Sequence, residues 1–187
     1  MQPYKKLFTY WFALIIYDLT VEFCERWVRS WKLKEQMNGA ARSGKQNIVE
    51  GSEGMATSLK TGIKLTNVAK ASIEELLGNL EDFLRQRKLS QWSKDDPRVR
   101  VFRARSARIV RNLSILRDLR EPKAQALLAR LKLPKDPEEA TNLLLTLCHQ
   151  ATYLLYRQVK SLEKKHETEG GYAENLYHRR LRARRVS

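Results

Sequence analysis

The sequence has few of the residues that end secondary structure, with 8 Gly and 5 Pro among 187 residues. Sandwiches and barrels of short strands need turn residues at close intervals, so this scarcity argues against both and favours long helices. Long apolar runs are missing as well. The segment from Leu7 to Tyr17 covers 11 residues, which is too short to span a bilayer. No small-residue cleavage site follows it, so a buried helix is favoured over a signal anchor.

Cysteine and histidine are rare, with 2 and 3 residues. Cys24 and Cys148 stand far apart in apolar helical patterns, and their spacing gives neither a metal site nor a disulfide framework. A reducing cytoplasm is the simplest location for such a chain. Cys148 and His149 are adjacent, so on a helix they point about 100° apart and cannot form a nucleophile–base pair. We therefore expect no metal, no cofactor and no catalytic residue, and we predict that His149 is a packing or hydrogen-bonding residue.

Acidic residues are too few to balance the basic ones, because 36 Lys and Arg oppose 21 Asp and Glu and the formal net charge is +15. A basic excess of this size in a small domain points to nucleic acid or another polyanion as the partner. A basic surface without a specific partner is the alternative. The 42% hydrophobic content excludes a chain that is disordered by composition, and the length fits one domain.

The basic excess is concentrated in residues 97–120, which carry 8 Arg against Asp118 alone. At about 100° per residue, the apolar side chains of this segment share one side of a helix and the Arg side chains cover the rest. Like charges at these spacings repel, and Arg is suited to bidentate phosphate binding, so we predict a phosphate-binding helix. Neutralisation by carboxylates elsewhere in the fold, or on a neighbouring subunit, is the alternative. The candidate contacts are Arg100, Arg103, Arg105, Arg108 and Arg111.

The C-terminal tail, residues 168–187, is basic as well. Such a run either wraps nucleic acid and orders on binding, or serves as a flexible solubilising end. Its candidate contacts are Arg179, Arg180, Arg182 and Arg184.

Apolar residues recur at helical spacing along most of the chain, and no strand pattern occurs. The predicted helices cover residues 4–31, 33–50, 58–89, 98–120, 123–131 and 138–167. Because the helices are long and the connections mostly short, we predict an all-α fold, an antiparallel up-and-down four-helix bundle. The bundle domain covers residues 1–167, with 98–131 as an inserted Arg-rich helical segment, and residues 168–187 form the tail.

The stretch "NIVEGSEGMATS", residues 47–58, separates two predicted helices. Its Gly residues resemble a phosphate-binding loop, but no strand precedes them and neither glycine-rich phosphate motif is present. We predict an inter-helix turn in which Gly51 and Gly54 close one helix with φ > 0 and Thr57 or Ser58 caps the next. Asn47 and Glu50 then lie in the last turn of the first helix, where Glu50 opposes the helix dipole and needs another partner.

The segments "GAARSGKQNIVEGSEG" and "SLKTGIKLTNVAKASIEEL" resemble the core of small four-helix-bundle proteins encoded in intervening sequences of bacterial 23S rRNA genes. The accessory variability protein of diversity-generating retroelements is related to them, and residues 147–184 resemble a longer branch with a four helix bundle suffix. The matched positions are Asn47, Ile48, Glu50 and Gly51, then Ala69, Ser72, Glu75 and Leu76. Gly44–Lys45, an extra residue before Ser58, and the Arg-rich segment depart from the pattern.

The resemblance implies a left-handed up-down bundle, often pentameric, with a basic surface that binds RNA or DNA and no reaction. It also implies a partner protein such as a reverse transcriptase. Together with the charge pattern, this predicts a non-catalytic nucleic-acid-binding protein that acts as an oligomeric accessory protein. The alternative is a protein-interaction scaffold that docks an acidic partner protein, and a nuclease is a weaker rival without a supporting spacing.

The predicted first helix carries apolar residues on nearly two full faces, including Trp11, Phe12, Tyr17 and Trp27. A bundle helix buries roughly one face. The surplus is therefore predicted to be exposed on a monomer, and exposed apolar patches of this kind mark interfaces. This feature also predicts a homo-oligomer.

Overall fold

Helices are the only regular elements among the residues that the computed structural model describes, which are 2–170, 176–177, 180–182 and 184. The all-α prediction is confirmed. A 3-10 turn covers Pro3–Lys6, and six α-helices follow. They are α1 Phe8–Trp27, α2 Trp31–Gly54, α3 Leu59–Arg87, α4 Pro97–Leu116, α5 Pro122–Leu128 and α6 Pro137–Glu169. Within these described ranges, no helix has the length and apolarity needed to cross a membrane.

The four long helices α1, α2, α3 and α6 form a ring in which each helix packs on two others. Cys24 contacts Met37 and Tyr17 contacts Lys45, so α1 and α2 run in opposite directions. Thr9 at the start of α1 donates a hydrogen bond to Gln158 near the end of α6, at 2.9 Å. The hydroxyls of Ser43 and Ser72 lie 2.9 Å apart between α2 and α3. Gly44 lies against Ile73 and Gly51 lies against Leu65, so α2 and α3 also run in opposite directions. This arrangement is compatible with the predicted up-and-down four-helix bundle.

The predicted first helix, 4–31, is interrupted at both ends. The 3-10 turn precedes α1, and residues 28–30 separate α1 from α2. Val28 is buried in an extended conformation, and the Ser30 side chain accepts a hydrogen bond from the Leu33 amide. Ser30 thus caps a new helix at a point that the apolar spacing does not mark.

The four aromatic residues that predicted an exposed patch on α1 are buried or half-buried within the chain, and Phe8 at the start of α1 is 45% exposed. Trp11 is fully buried, Phe12 is 3% exposed, and Tyr17 and Trp27 are half-buried against the core. The reason is that α1 contacts α2, α6, α4 and the 3-10 turn, so more than one face of the helix is covered. The aromatic surplus of α1 therefore gives no support to an oligomer.

The predicted turn at residues 47–58 is shorter than expected, because α2 continues to Gly54. Gly170 is the only Gly with positive φ in the described ranges, so the prediction of φ > 0 at Gly51 and Gly54 was wrong. Asn47 and Glu50 lie in the body of α2. Glu50 accepts a hydrogen bond from Gln46, and Asn47 donates to the Ser43 carbonyl.

The cap at Ser58 is confirmed, since its side chain accepts a hydrogen bond from the Thr61 amide at 3.2 Å. The glycines of α2 serve close packing instead of a turn. A Cβ on Gly51 would lie 3.2 Å from the Leu65 Cβ, and one on Gly44 would lie 2.6 Å from Cδ1 of Ile73. We call this close contact between α2 and α3 the glycine seam. It is formed by Gly44, Gly51, Gly62, Ala69, Ser72 and Ile73.

The inserted segment packs outside the ring. α4 contacts α6 and α1 through a buried apolar face that includes Ile109, Val110 and Leu113. α5 contacts α4 and buries Ala124. α6 begins at Pro137, one residue before the predicted start at 138, with the Asp136 side chain accepting from the Glu139 amide at 2.8 Å. The side of α4 opposite this buried face is therefore exposed.

Candidate nucleic-acid interface

α4 is an amphipathic helix with defined ends. Asp96 caps it through a 2.8 Å hydrogen bond from the Arg98 amide, and Pro97 occupies the first helical position. The helix ends at Arg117, which has a left-handed backbone with φ 60°. The buried face comprises Val99, Ser106, Ile109, Val110, Leu113 and Ser114. The predicted Arg-rich helix is therefore present, and its apolar side holds it against the bundle.

The five predicted Arg contacts of α4 are all exposed, and they divide into three groups by direction. Arg100, Arg108 and Arg111 lie roughly opposite the buried face on the helical wheel. None of the three forms a hydrogen bond or ion pair with any residue in the described ranges. We call Arg100, Arg108 and Arg111 the outer Arg face. The alternative that carboxylates of the same fold neutralise these side chains has no support within the described part of the chain.

Arg103 and Arg105 lie on the two flanks of α4. The Arg105 guanidinium donates to the carbonyl of Arg130, in the segment after α5. On the other flank, the Arg103 carbonyl accepts a hydrogen bond from Gln150 of α6 at 3.2 Å, and the Arg103 guanidinium donates to the Lys94 carbonyl at 3.5 Å. The five Arg side chains thus form an arc around the exposed part of α4, and they do not converge on one point.

Arg98, which is not among the predicted contacts, stands at the start of this helix in a different environment. Its guanidinium donates to both carboxylate oxygens of Asp96, at 3.1 and 2.8 Å, and these hydrogen bonds lower the pKa of Asp96. The guanidinium also lies 3.4 Å from the centroid of the Trp92 ring. Arg98 is thus partly neutralised and held in place, and it contributes less free charge than the outer Arg face.

Trp92 organises the connection between α3 and α4. Its indole N–H donates to Glu138 at 2.9 Å, and its ring stacks on Phe102 with centroids 6.1 Å apart. Its backbone amide donates to Oδ1 of Asn142, which is 2% exposed. Hydrogen bonds from the Ser90 amide and the Trp92 indole lower the pKa of Glu138. Residues of α6 therefore hold the connection between α3 and α4 in place.

A groove with a volume of about 800 Å³ lies between α4, the α3–α4 connection and α6. Its charged and aromatic lining consists of Trp92, Lys94, Arg103, His149 and Tyr153. The spacing of residues along the sequence did not predict this site. His149 is exposed in the groove, so the predicted packing role is wrong, whereas the alternative of a hydrogen-bonding role stays a prediction. Tyr153 is 59% exposed and lies outside the buried apolar positions of α6. The only signal for the groove in the sequence was the pair His149 and Tyr153, four residues apart on the polar side of α6.

The tail residues Arg180, Arg182 and Arg184 are exposed and have helical backbone, whereas Arg179 lies outside the described residues. The thiols offer no nucleophile. Burial raises the pKa of Cys24 to about 11 and also raises the pKa of Cys148, so both are protonated at neutral pH. Over the described ranges, no group of His, Cys, Asp and Glu is arranged to hold a metal ion.

The site therefore offers charge and aromatic surface, without an assembled acid–base pair. Comparisons with models of known protein families, with curated proteins and with solved structures find no match to this chain. The resemblance to the 23S rRNA intervening-sequence proteins is accordingly a hypothesis that rests on the residues quoted above.

Proposed function

We propose that this protein is a non-catalytic nucleic-acid-binding helical bundle that contacts RNA or DNA phosphates through the Arg residues of α4. The observation that carries the proposal is the outer Arg face, where Arg100, Arg108 and Arg111 project from a helix anchored on its opposite side. No carboxylate in the described ranges pairs with these three side chains. Phosphate groups supply the negative charge that would pair with these Arg side chains.

The composition of α4 supports phosphate over a diffuse solubilising role. The segment 97–116 contains 6 Arg and no Lys, Asp or Glu. Like charges one turn apart disfavour the helix by a few tenths of a kcal/mol per pair, so a helix without an anionic partner gains from interspersed Glu. Arg also forms bidentate hydrogen bonds with phosphate. Contacts of this kind position a protein on the backbone and read little base sequence.

The test is charge reversal with a matched control. Changing Arg100, Arg108 and Arg111 to Glu should weaken binding of mixed-sequence RNA or DNA at least about a hundredfold, since hydrogen bonds to charged groups contribute about 1.5–3 kcal/mol each. The control changes Arg42, Lys60 and Lys64 to Glu. These side chains are exposed on α2 and α3, and the change in net charge is the same. Equal losses of affinity in the two variants would show that binding depends on net charge alone and would contradict the proposal.

The assembly is proposed from the resemblance alone. The resemblance implies a ring of about five subunits in the cytoplasm that acts with a partner such as a reverse transcriptase. Charge repulsion between +15 protomers would be relieved by nucleic acid or salt. Light scattering should then show a particle well above 21.9 kDa that is more stable with nucleic acid. A monomer at micromolar concentration, with and without nucleic acid, would exclude this assembly.

One observation favours the second candidate, a scaffold that docks an acidic protein. Val101 and Ile115 are 62% and 69% exposed on α4, and they lie close to the outer Arg face on the helical wheel. Aliphatic side chains between Arg residues suit a partner helix with mixed acidic and apolar residues. Changing Val101 and Ile115 to Ser would abolish such docking and leave nucleic-acid binding intact. If that variant loses nucleic-acid affinity while remaining folded, the protein-docking surface and the nucleic-acid-binding surface of α4 are the same.

A further inference from the structure

The groove between α4 and α6 has a built framework. Asn142 and Gln150 lie eight residues apart on α6, or about 12 Å along the helix axis. Asn142 accepts from the Trp92 amide at 2.8 Å and donates to the Ser90 carbonyl at 2.9 Å. Gln150 accepts from the Ser106 hydroxyl at 2.7 Å. Two amides of one helix thus fix the opposite wall at both ends, so the groove does not depend on a ligand for its shape.

The electrostatic character of the groove is positive. Lys94 and Arg103 line it, and its lining includes no carboxylate from the described part of the chain. Glu138 lies nearby, but it accepts hydrogen bonds from Ser90 and Trp92, and the Arg98 charge acts on it. An anionic occupant is therefore favoured over a neutral or cationic one.

The aromatic rings in the groove differ in how much of their faces is free. Trp92 carries the Arg98 guanidinium against its ring and also stacks on Phe102. Tyr153 is 59% exposed and has no ring or hydrogen-bond partner in the described ranges. His149 precedes it by one turn on the same face of α6 and is exposed too. Tyr153 and His149 thus offer adjacent free rings beside two cations.

We propose that this groove binds an unpaired segment of a nucleic-acid strand, with a base stacked on Tyr153 and phosphates on Arg103 and Lys94. This inference rests on the proposed function and specifies its substrate class. Stacking on an aromatic side chain requires a base face that is not covered by its neighbours, which single strands supply and duplexes do not. Arg100 lies one turn before Arg103 on α4, so the outer Arg face leads into the groove. A duplex contacts the outer Arg face alone, whereas a single strand uses both surfaces.

The experiment compares a mixed-sequence single-stranded oligonucleotide with its duplex, using the full chain and fluorescence anisotropy. Tyr153→Ala should weaken single-strand binding at least about fivefold and leave duplex binding unchanged, because base stacking is lost only from the single strand. Tyr153→Phe should bind like the parent protein, since the ring is kept. Tyr156→Ala is the matched control, as Tyr156 is 50% exposed three residues further along α6 and does not line the groove.

A second measurement locates the contact directly. A single strand that carries 5-bromouracil should cross-link under ultraviolet light to the peptide that contains Tyr153 or to the one that contains Trp92. Cross-links confined to other peptides would overturn the proposal, as would a Tyr153→Ala variant that binds the single strand like the parent. An equal loss for single strand and duplex, or an equal loss in Tyr156→Ala, would also overturn it. In these cases the outer Arg face stands as the site, whereas a parent protein that binds neither form refutes both proposals.

Discussion

The glycine seam and the outer Arg face are both surfaces of helices, and they are built by opposite means. In the seam, small residues bring two backbones together, and Gly44 and Gly51 leave no room for larger side chains. Some charged residues of α3 form local pairs, such as Lys70 with Glu74 at 2.7 Å. On α4 the Arg side chains are exposed and three of them have no partner in the described ranges. The comparison indicates that stability and binding depend on separate residues, so each can be altered alone.

The largest expected effect is on the seam. Ile73→Ala removes a fully buried side chain and should lower the free energy of unfolding by about 2–5 kcal/mol. Adding Gly44→Ala should restore part of this loss, because the new Cβ enters the space that Cδ1 of Ile73 occupies, 2.6 Å away. Denaturant unfolding of both single variants and the double variant gives the coupling energy. Additive effects would show that Gly44 and Ile73 are not in contact.

Gly51→Val should destabilise the protein by about 1–3 kcal/mol through overpacking against Leu65 and Gly62. Gly39→Val is the matched control, since a Cβ on Gly39 meets no atom within 4 Å and the residue also lies inside α2. Nucleic-acid affinity should be unchanged in both variants at a temperature where they are folded. Equal denaturation midpoints for the two variants would remove the argument for a close approach at Gly51.

The outer Arg face should behave in the opposite way. Changing Arg100, Arg108 and Arg111 to Gln should leave the free energy of unfolding unchanged or raise it by a few tenths of a kcal/mol, because repulsion along α4 falls. Helix content by circular dichroism should match that of the parent protein. A clear loss of stability would mean that these side chains have structural partners, and the contrast between the two surfaces would fail.

The smallest expected effect concerns the stability of the protein at low pH. The folded protein lowers the pKa of Glu138 through hydrogen bonds from Ser90 and Trp92. The stabilisation is therefore fully present above the ordinary glutamate pKa and is lost as the pH falls through the lowered value of the folded state. Glu138→Gln should remove this part of the acid dependence of the denaturation midpoint. Identical acid profiles for the variant and the parent would show that Glu138 does not hold the α3–α4 connection.

Local periodicity predicted the helices well because it reports which face of each segment is buried. It failed at Ser30 and Gly51, where a cap and a close helix contact decided the outcome. The direction of the Arg side chains followed from the wheel of α4. The groove could not be predicted from the sequence pattern, because its walls come from segments about 50 residues apart. These segments are joined by hydrogen bonds such as that from Trp92 to Asn142. Spacing within one helix carries no information on such partners.

The salt dependence of nucleic-acid binding tests the central claim most directly. Each Arg that contacts phosphate should add about one unit to the slope of log K against log salt concentration. Changing Arg100, Arg108 and Arg111 to Gln should therefore reduce the slope by about three for the duplex, whereas changing Arg42, Lys60 and Lys64 to Gln should leave it unaltered. If the two variants and the parent share one slope, the outer Arg face does not bind phosphate and the account is contradicted.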